Sequence, residues 1–137
     1  MKALIASICL FPALALAQNC DVKVNMGPYY SKNPSKSMNR SIGKILKQKG
    51  YRLSKSSSAD YSLEISHAYE ITDYGNIPAG TQVTMMNSGL QIIAEGRSES
   101  YSTSSEVMRT LFGIGMSVRS STKTALRNLG KNLPVCR

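Results

Sequence analysis

Tryptophan is absent, histidine occurs once, as His67, and acidic side chains number 8 against 17 bases in a chain of 137 residues. One histidine excludes a His-rich metal site, and no Cys/His zinc pattern remains if the cysteines pair. The chain has no Gly-x-Ser-x-Gly elbow, and Gly113-Ile114-Gly115 lacks the further glycine and the lysine of a phosphate loop. Beyond the N-terminal stretch no apolar run reaches the roughly 18 residues of a membrane span. A charged fraction of 18% is too modest for a disordered polyelectrolyte. Neither a heptad array nor a collagen repeat is present. What remains is one small domain with no cofactor or metal expected, and none of the motifs that identify an enzyme.

The first residues read as an address. Met1-Lys2 is a short positive start, Ala3 to Leu14 is apolar with Pro12 near its end, and Ala15-Leu16-Ala17 is a small-x-small site. A signal peptide over residues 1–17 is expected, with cleavage after Ala17 and a single α/β domain over 18–137. The apolar stretch is too short to cross about 30 Å of hydrocarbon. Gln18 and Asn19 stand before Cys20, where a lipoprotein needs cysteine directly after the small residue. The mature product is therefore expected to be periplasmic or secreted. Loss of the leader takes away Lys2 and Cys9, lowering the net charge from +9 to +8 and leaving Cys20 and Cys136 at opposite ends. Two cysteines in an exported chain are expected to form a disulfide.

Val22, Val24 and Met26 alternate in a first strand ended by Gly27-Pro28, and Ser31 to Ser35 reads as a loop. Tyr29-Tyr30 beside it is either an exposed aromatic contact or a cover for the core edge. From Ser37 onward, Met38, Ile42, Ile45 and Leu46 fall on one helical stripe that stops at Gly50. Tyr51 to Leu53 is extended. Tyr61, Leu63, Ile65, His67, Tyr69 and Ile71 then hold every odd position of a long strand, and Asp73 to Gly80 reads as a turn region. Val83 and Met85 share one parity while Leu90, Ile92 and Ala94 share the other, so a bulge or a hairpin turn lies at Asn87-Ser88-Gly89. Val118, Thr122, Ala125, Leu126, Leu129 and Leu133 form a second helical stripe. Glu106 to Met116 is apolar around Gly113 and reads as helix, lid or buried loop.

The expected fold is α+β: an antiparallel-rich sheet of about four strands in the order βαβββα, with two amphipathic helices on one face. Strand directions decide the ambiguous turn. A hairpin at Asn87 to Gly89 brings the last helix back to where the first strand begins, within the approximately 7 Å that a Cys20–Cys136 bridge requires between Cα atoms. One uninterrupted strand would leave the two cysteines at opposite ends.

Charge is sorted along the chain. Residues 22–59 hold nine bases and no acid, residues 60–106 hold seven acids and only Arg97, and residues 107–137 hold six bases and no acid. Two helices on one face would make a positive layer, with Glu64 and Glu70 on the exposed sheet face. Lys44, Lys47, Lys49, Lys123, Arg127 and Lys131 are the candidate anion-binding residues. Phospholipid headgroups, lipopolysaccharide, acidic glycan and nucleic acid are all polyanions. Nucleic acid fits worst, because the basic helices carry no interleaved aromatics. The competing explanation is that the charge only keeps the domain soluble.

His67 reads either as a packed, hydrogen-bonded core histidine or as a general acid/base in a small hydrolase or nuclease. Glu64 and Glu70 lie at odd separations from it and so face the other side of the strand. They are also about 20 Å apart, which excludes a glycosidase pair.

Gly50-Tyr51, the run Ala59-Asp60-Tyr61-Ser62-Leu63-Glu64-Ile65, and Ala125-Leu126 with Leu133-Pro134 resemble the small periplasmic α/β domains of bacterial envelope-assembly lipoproteins. The resemblance implies a non-enzymatic domain that binds partners in the cell envelope. It implies no particular ligand or site residue, and the chain departs from it in lacking the lipidated cysteine. The expected function is thus an exported binding or structural domain contacting an envelope protein or an anionic envelope component through its basic helices. The alternatives are a secreted hydrolase using His67, and an inhibitor or accessory protein acting through a sheet edge or Val107 to Met116.

Overall fold

The computed structural model of the chain describes residues 19–32, 35–73, 75–98 and 114–137. Residues 1–17, where a signal peptide is expected, and most of the unassigned segment from Glu106 to Met116 lie outside these residues. The described elements are β1 (Asp21–Asn25), α1 (Gly27–Lys32), α2 (Lys36–Gln48), β2 (Arg52–Ser54), β3 (Tyr61–Thr72), β4 (Gly75–Asn87), β5 (Ile92–Ser98) and α3 (Ile114–Asn132). The strands form one five-stranded sheet in the order β2-β1-β3-β4-β5. β1 runs parallel to both β2 and β3, whereas β3, β4 and β5 follow one another antiparallel.

The mixed α+β class is as expected, but the strand count and the element order are not. The additional strand is β2, and its origin is the end of α2. Gly50, at φ +82°, donates its N–H to the Lys47 carbonyl while the Tyr51 N–H reaches back 3.0 Å to the Leu46 carbonyl. These two bonds satisfy the last helical carbonyls in a left-handed glycine cap, with Tyr51 buried beside Leu46. A Cβ on residue 50 would also press within 3.2 Å of the Cys136 carbonyl. The cap aims Arg52 at the edge of β1, where its N–H meets the Cys20 carbonyl at 2.8 Å. Three residues of parallel pairing follow, which is too short to leave a periodic signal.

The additional helix is α1. Asn25 Oδ1 accepts the Gly27 N–H, and Pro28 occupies the first helical turn, where its missing N–H costs nothing. Gly27-Pro28 therefore both ends a strand and starts a helix. α2 begins at Ser35, whose hydroxyl accepts the Met38 N–H.

The hairpin between β4 and β5 is present, and so is a bulge. Asn87 Oδ1 accepts from the N–H groups of Gly89 and Gln91, and Leu90 rather than Gly89 takes the left-handed position, at φ +59°. Next to it the register skips Ile93 between the pairs Met86–Ile92 and Met85–Ala94. Because of the skip, Ile92 and Ala94, which share one parity in the sequence, do not share one face. Ala94 is buried, whereas Ile92 is 60% and Leu90 77% exposed. A second shift, between Ala68 and Tyr69, pairs Tyr69 with Pro78. Tyr69, 49% exposed, does not belong to the buried row that Tyr61, Leu63 and Ile65 form. The expected turn region is also mostly strand, because Gly75 to Gly80 pairs with β3. Among the described residues β5 pairs with β4 from Thr81 onward.

Both long helices cover the same sheet face. Met38, Ile42 and Leu46 of α2 join Val118, Ala125, Leu126 and Leu129 of α3 in one buried cluster with Val22, Leu63, Ile65, Val83 and Met85. α3 lies closest over β5, at Gly96. Cys20 and Cys136 form a disulfide with Cα atoms 6.0 Å apart, and the Cys136 N–H donates to the Lys49 carbonyl. Among the described residues no helix is long and apolar enough to cross a membrane.

Candidate functional site

α2 and α3 lie side by side on the sheet, and each carries bases and no acid in its sequence. Residues of α2 that face inward at helical spacing leave Ser41, Lys44, Ile45 and Gln48 along the side turned to α3. On α3 the matching side is Lys123, Leu126, Arg127, Gly130 and Lys131. Between the two rows runs a groove of about 500 Å³. The helices pinch where a Cβ on Gly130 would lie 3.1 Å from Ile45 Cγ2.

The floor and the rim differ in chemistry. Leu126 is buried and Ile45 half-buried, whereas Lys44, Lys123, Arg127 and Lys131 are exposed. Spacings of four residues put Lys123, Arg127 and Lys131 in line along α3, about 6 Å apart from one to the next. With Lys44 opposite, the groove is a cationic rim around an apolar floor. Of the six anion-binding candidates, the fold gathers these four. Lys47 is exposed in the last turn of α2, and Lys49 is the half-buried cap whose carbonyl holds Cys136. Neither lines the groove. Ser41, Gln48 and Gly130 do line it and had no signal of their own, since only the pairing of the helices brings them together.

The open sheet face carries Glu64, as expected. Asp21, Lys23, Arg52, Glu64, Glu95 and Arg97 lie on strand positions that alternate with the buried ones, three acids with three bases. Arg52 pairs with Asp21 at 3.0 Å, and Arg97 pairs with Glu95. Among the described side chains the acids and bases of this face are equal in number, Lys23 and Arg52 coming from the basic stretch 22–59. The Glu70 side chain lies outside the described ones.

His67 occupies a second polar cluster, at the far end of the core face. His67, Thr81 and Ser98 stand in register on three adjacent strands, and Ser121 and Thr122 of α3 lie over them. Thr122 Oγ1 donates to the Val118 carbonyl at 2.8 Å and accepts from Tyr30 Oη at 3.0 Å. Its hydroxyl proton is used, so the His67 Nε2 at 3.3 Å is the donor of that contact. Ser121 Oγ donates to Thr81 Oγ1 at 2.8 Å and also meets Ser98 Oγ, while the Thr81 N–H donates to Ser98 Oγ at 2.9 Å. The rings of Tyr29 and Tyr30 pack on His67 at 5.7 and 5.8 Å, with Tyr30 buried. Burial holds the imidazole pKa below its ordinary 6.5. A cavity of about 290 Å³ opens beside His67, Gly80 and Ser98. Among the described residues neither ion pair includes His67. The hydroxyls were legible in part, since Thr81 shares parity with Val83 and Met85, and Thr122 lies on the buried stripe of α3.

Among the described residues no cluster of His, Cys, Asp and Glu is placed to hold a metal ion. No protein-family model matches the chain, and no curated protein matches it.

Proposed function

We propose that this chain is an exported, non-enzymatic binding domain of the bacterial cell envelope that holds an anionic partner against its helical layer. The observation that carries this reading is the convergence of Lys44, Lys123, Arg127 and Lys131 on one groove whose two helices contain no acid. Bases that only kept the domain soluble would be spread over its surface and interspersed with acids, as they are on the open sheet face. The disulfide between Cys20 and Cys136 fits an oxidising compartment.

Binding to vesicles rich in anionic phospholipid, compared with neutral vesicles, tests this reading. Binding that weakens steeply as salt rises, and that disappears in Lys44→Glu/Lys123→Glu/Arg127→Glu, supports it. Binding that ignores both changes, or no preference for the anionic vesicles, overturns it.

The hydrolase reading has one feature in its favour, the cavity beside His67 and Ser98. Against it, the hydroxyl nearest His67 already makes all three of its hydrogen bonds, and Ser98 is engaged with Thr81 and Ser121 rather than with the imidazole. Hydrolysis of RNA, peptidoglycan or simple esters that vanishes in His67→Gln, with the fold intact, would reverse this preference.

A further inference from the structure

We infer that the groove between α2 and α3 takes a single amphiphile bearing a phosphate, its apolar chain on the floor and its phosphate on the rim. This inference rests on the reading of the groove as an anion-binding site, and it commits that site to one ligand class.

Three kinds of anionic partner differ in what they require of a surface. A bilayer is flat and meets cations that project outward, yet here Leu126 and the notch at Gly130 lie recessed between two helices. An acidic amphipathic helix requires three or four apolar anchor sites spread over at least two turns. The floor offers two apolar side chains, Ile45 and Leu126, with Gly130 between them. A volume of about 500 Å³ is in the range of sites that enclose one small molecule.

The chemistry of the walls selects among small molecules. The aliphatic stems of Lys44 and Lys131 extend the floor upward and carry their ammonium groups to the rim. An apolar chain is thereby covered along its length, and an anion is met only at the top. On α3, Arg127 stands between Lys123 and Lys131, so a planar fork of donors is flanked by two point charges. That set fits a tetrahedral dianion, which accepts two parallel N–H bonds from arginine and further ones from lysine. A free phosphate would leave the floor wet, and a neutral amphiphile would leave four cations uncompensated. Only a molecule with both parts uses the whole groove.

The test uses dodecyl phosphate below its micelle concentration, with inorganic phosphate and dodecyl maltoside as the two half-ligands, measured by calorimetry on the full disulfide-bonded domain. One dodecyl phosphate per chain is expected, with each half-ligand weaker by about ten-fold or more. Ser41→Trp and Gln48→Trp fill the groove from its α2 side without changing its charge. Either variant that keeps the wild-type melting temperature is expected to lose dodecyl phosphate while retaining salt-sensitive binding to anionic vesicles. Thr124→Trp, at an exposed position of α3 outside the groove, should change neither. The inference is overturned if dodecyl phosphate does not bind, if either half-ligand binds as well, or if both folded tryptophan variants bind normally. Vesicle binding that persists beside any of these results leaves the anion-binding reading intact, whereas loss of both removes the two together.

Discussion

Gly96 of β5 lies directly under Leu129 of α3: a Cβ on residue 96 would fall 2.2 Å from the Leu129 nitrogen and 2.1 Å from the Ala125 carbonyl oxygen. Backbone meets backbone here, which holds α3, one wall of the groove, close to the sheet. The groove therefore depends on a glycine that does not line it.

Gly96→Ala is expected to destabilise the domain by about 3 kcal/mol or more, since no rotamer change relieves a clash between Cβ and main-chain atoms. Gly80→Ala, whose Cβ would meet the Ser98 carbonyl oxygen at an ordinary 3.4 Å, should cost far less. Urea unfolding of the two variants checks the difference. Similar midpoints would mean that α3 shifts freely over β5.

The Cys20–Cys136 bridge closes a loop with a sequence separation of 116 residues. On the loop-entropy model its removal in Cys20→Ser/Cys136→Ser lowers stability by about 4 to 5 kcal/mol. Chemical denaturation of the oxidised and double-serine proteins measures this. Equal stabilities would show that the Cys136 to Lys49 hydrogen bond and Leu133 packing hold the C-terminus without the sulfurs.

Leu90 is strained and nearly free of contacts, at φ +59° and 77% exposed. The left-handed region costs an ordinary side chain roughly 1 kcal/mol, and glycine or asparagine less. Leu90→Asn should therefore raise the melting temperature by about 4 °C for a domain of this size. A lower melting temperature would mean that Leu90 packs in a way its exposure does not reveal.

His67 gives the fold a pH dependence of definite sign. Burial lowers its folded-state pKa below the 6.5 of the exposed group, so the unfolded chain binds the proton more readily. The contribution is complete above about pH 6.5 and is lost as pH falls from there through the folded-state value. His67→Gln keeps a donor for Thr122 and removes the titration. The stability difference between wild type and His67→Gln should shift against wild type below pH 6, seen in urea midpoints at neutral and acidic pH. A difference that stays constant with pH contradicts this assignment.

Much of the fold was legible because burial on one face leaves a period. The odd series from Tyr61 to Ile65 and the stripes of α2 and α3 each repeat at the spacing of their element, and all three lie in the core. The Gly50 stop was legible because a left-handed cap nearly demands glycine. The extended chain at Tyr51 to Leu53 was legible but not its pairing as β2, and α1 was not, these elements being three and six residues long and held by bonds to Cys20 and Asn25. The register skips at Ala79 of β4 and Ile93 of β5 were also illegible, since a skipped residue reverses parity without altering composition.

For the candidate site the division is similar. The sequence alone determined that the helices would be basic, that acids would be confined almost wholly to one stretch, and that Cys20 and Cys136 would stand far apart in the chain. Those are properties of residue type and order. Only the tertiary structure decided which bases share a groove, that Lys47 and Lys49 stand apart from it, and that Arg52 pairs with Asp21 and Arg97 with Glu95 on the open face. Distances between elements far apart in the chain are set by how they pack, here by Gly96 beneath Leu129 and Gly130 against Ile45. No local pattern encodes that spacing, because each glycine takes its meaning from the backbone or side chain that arrives opposite it.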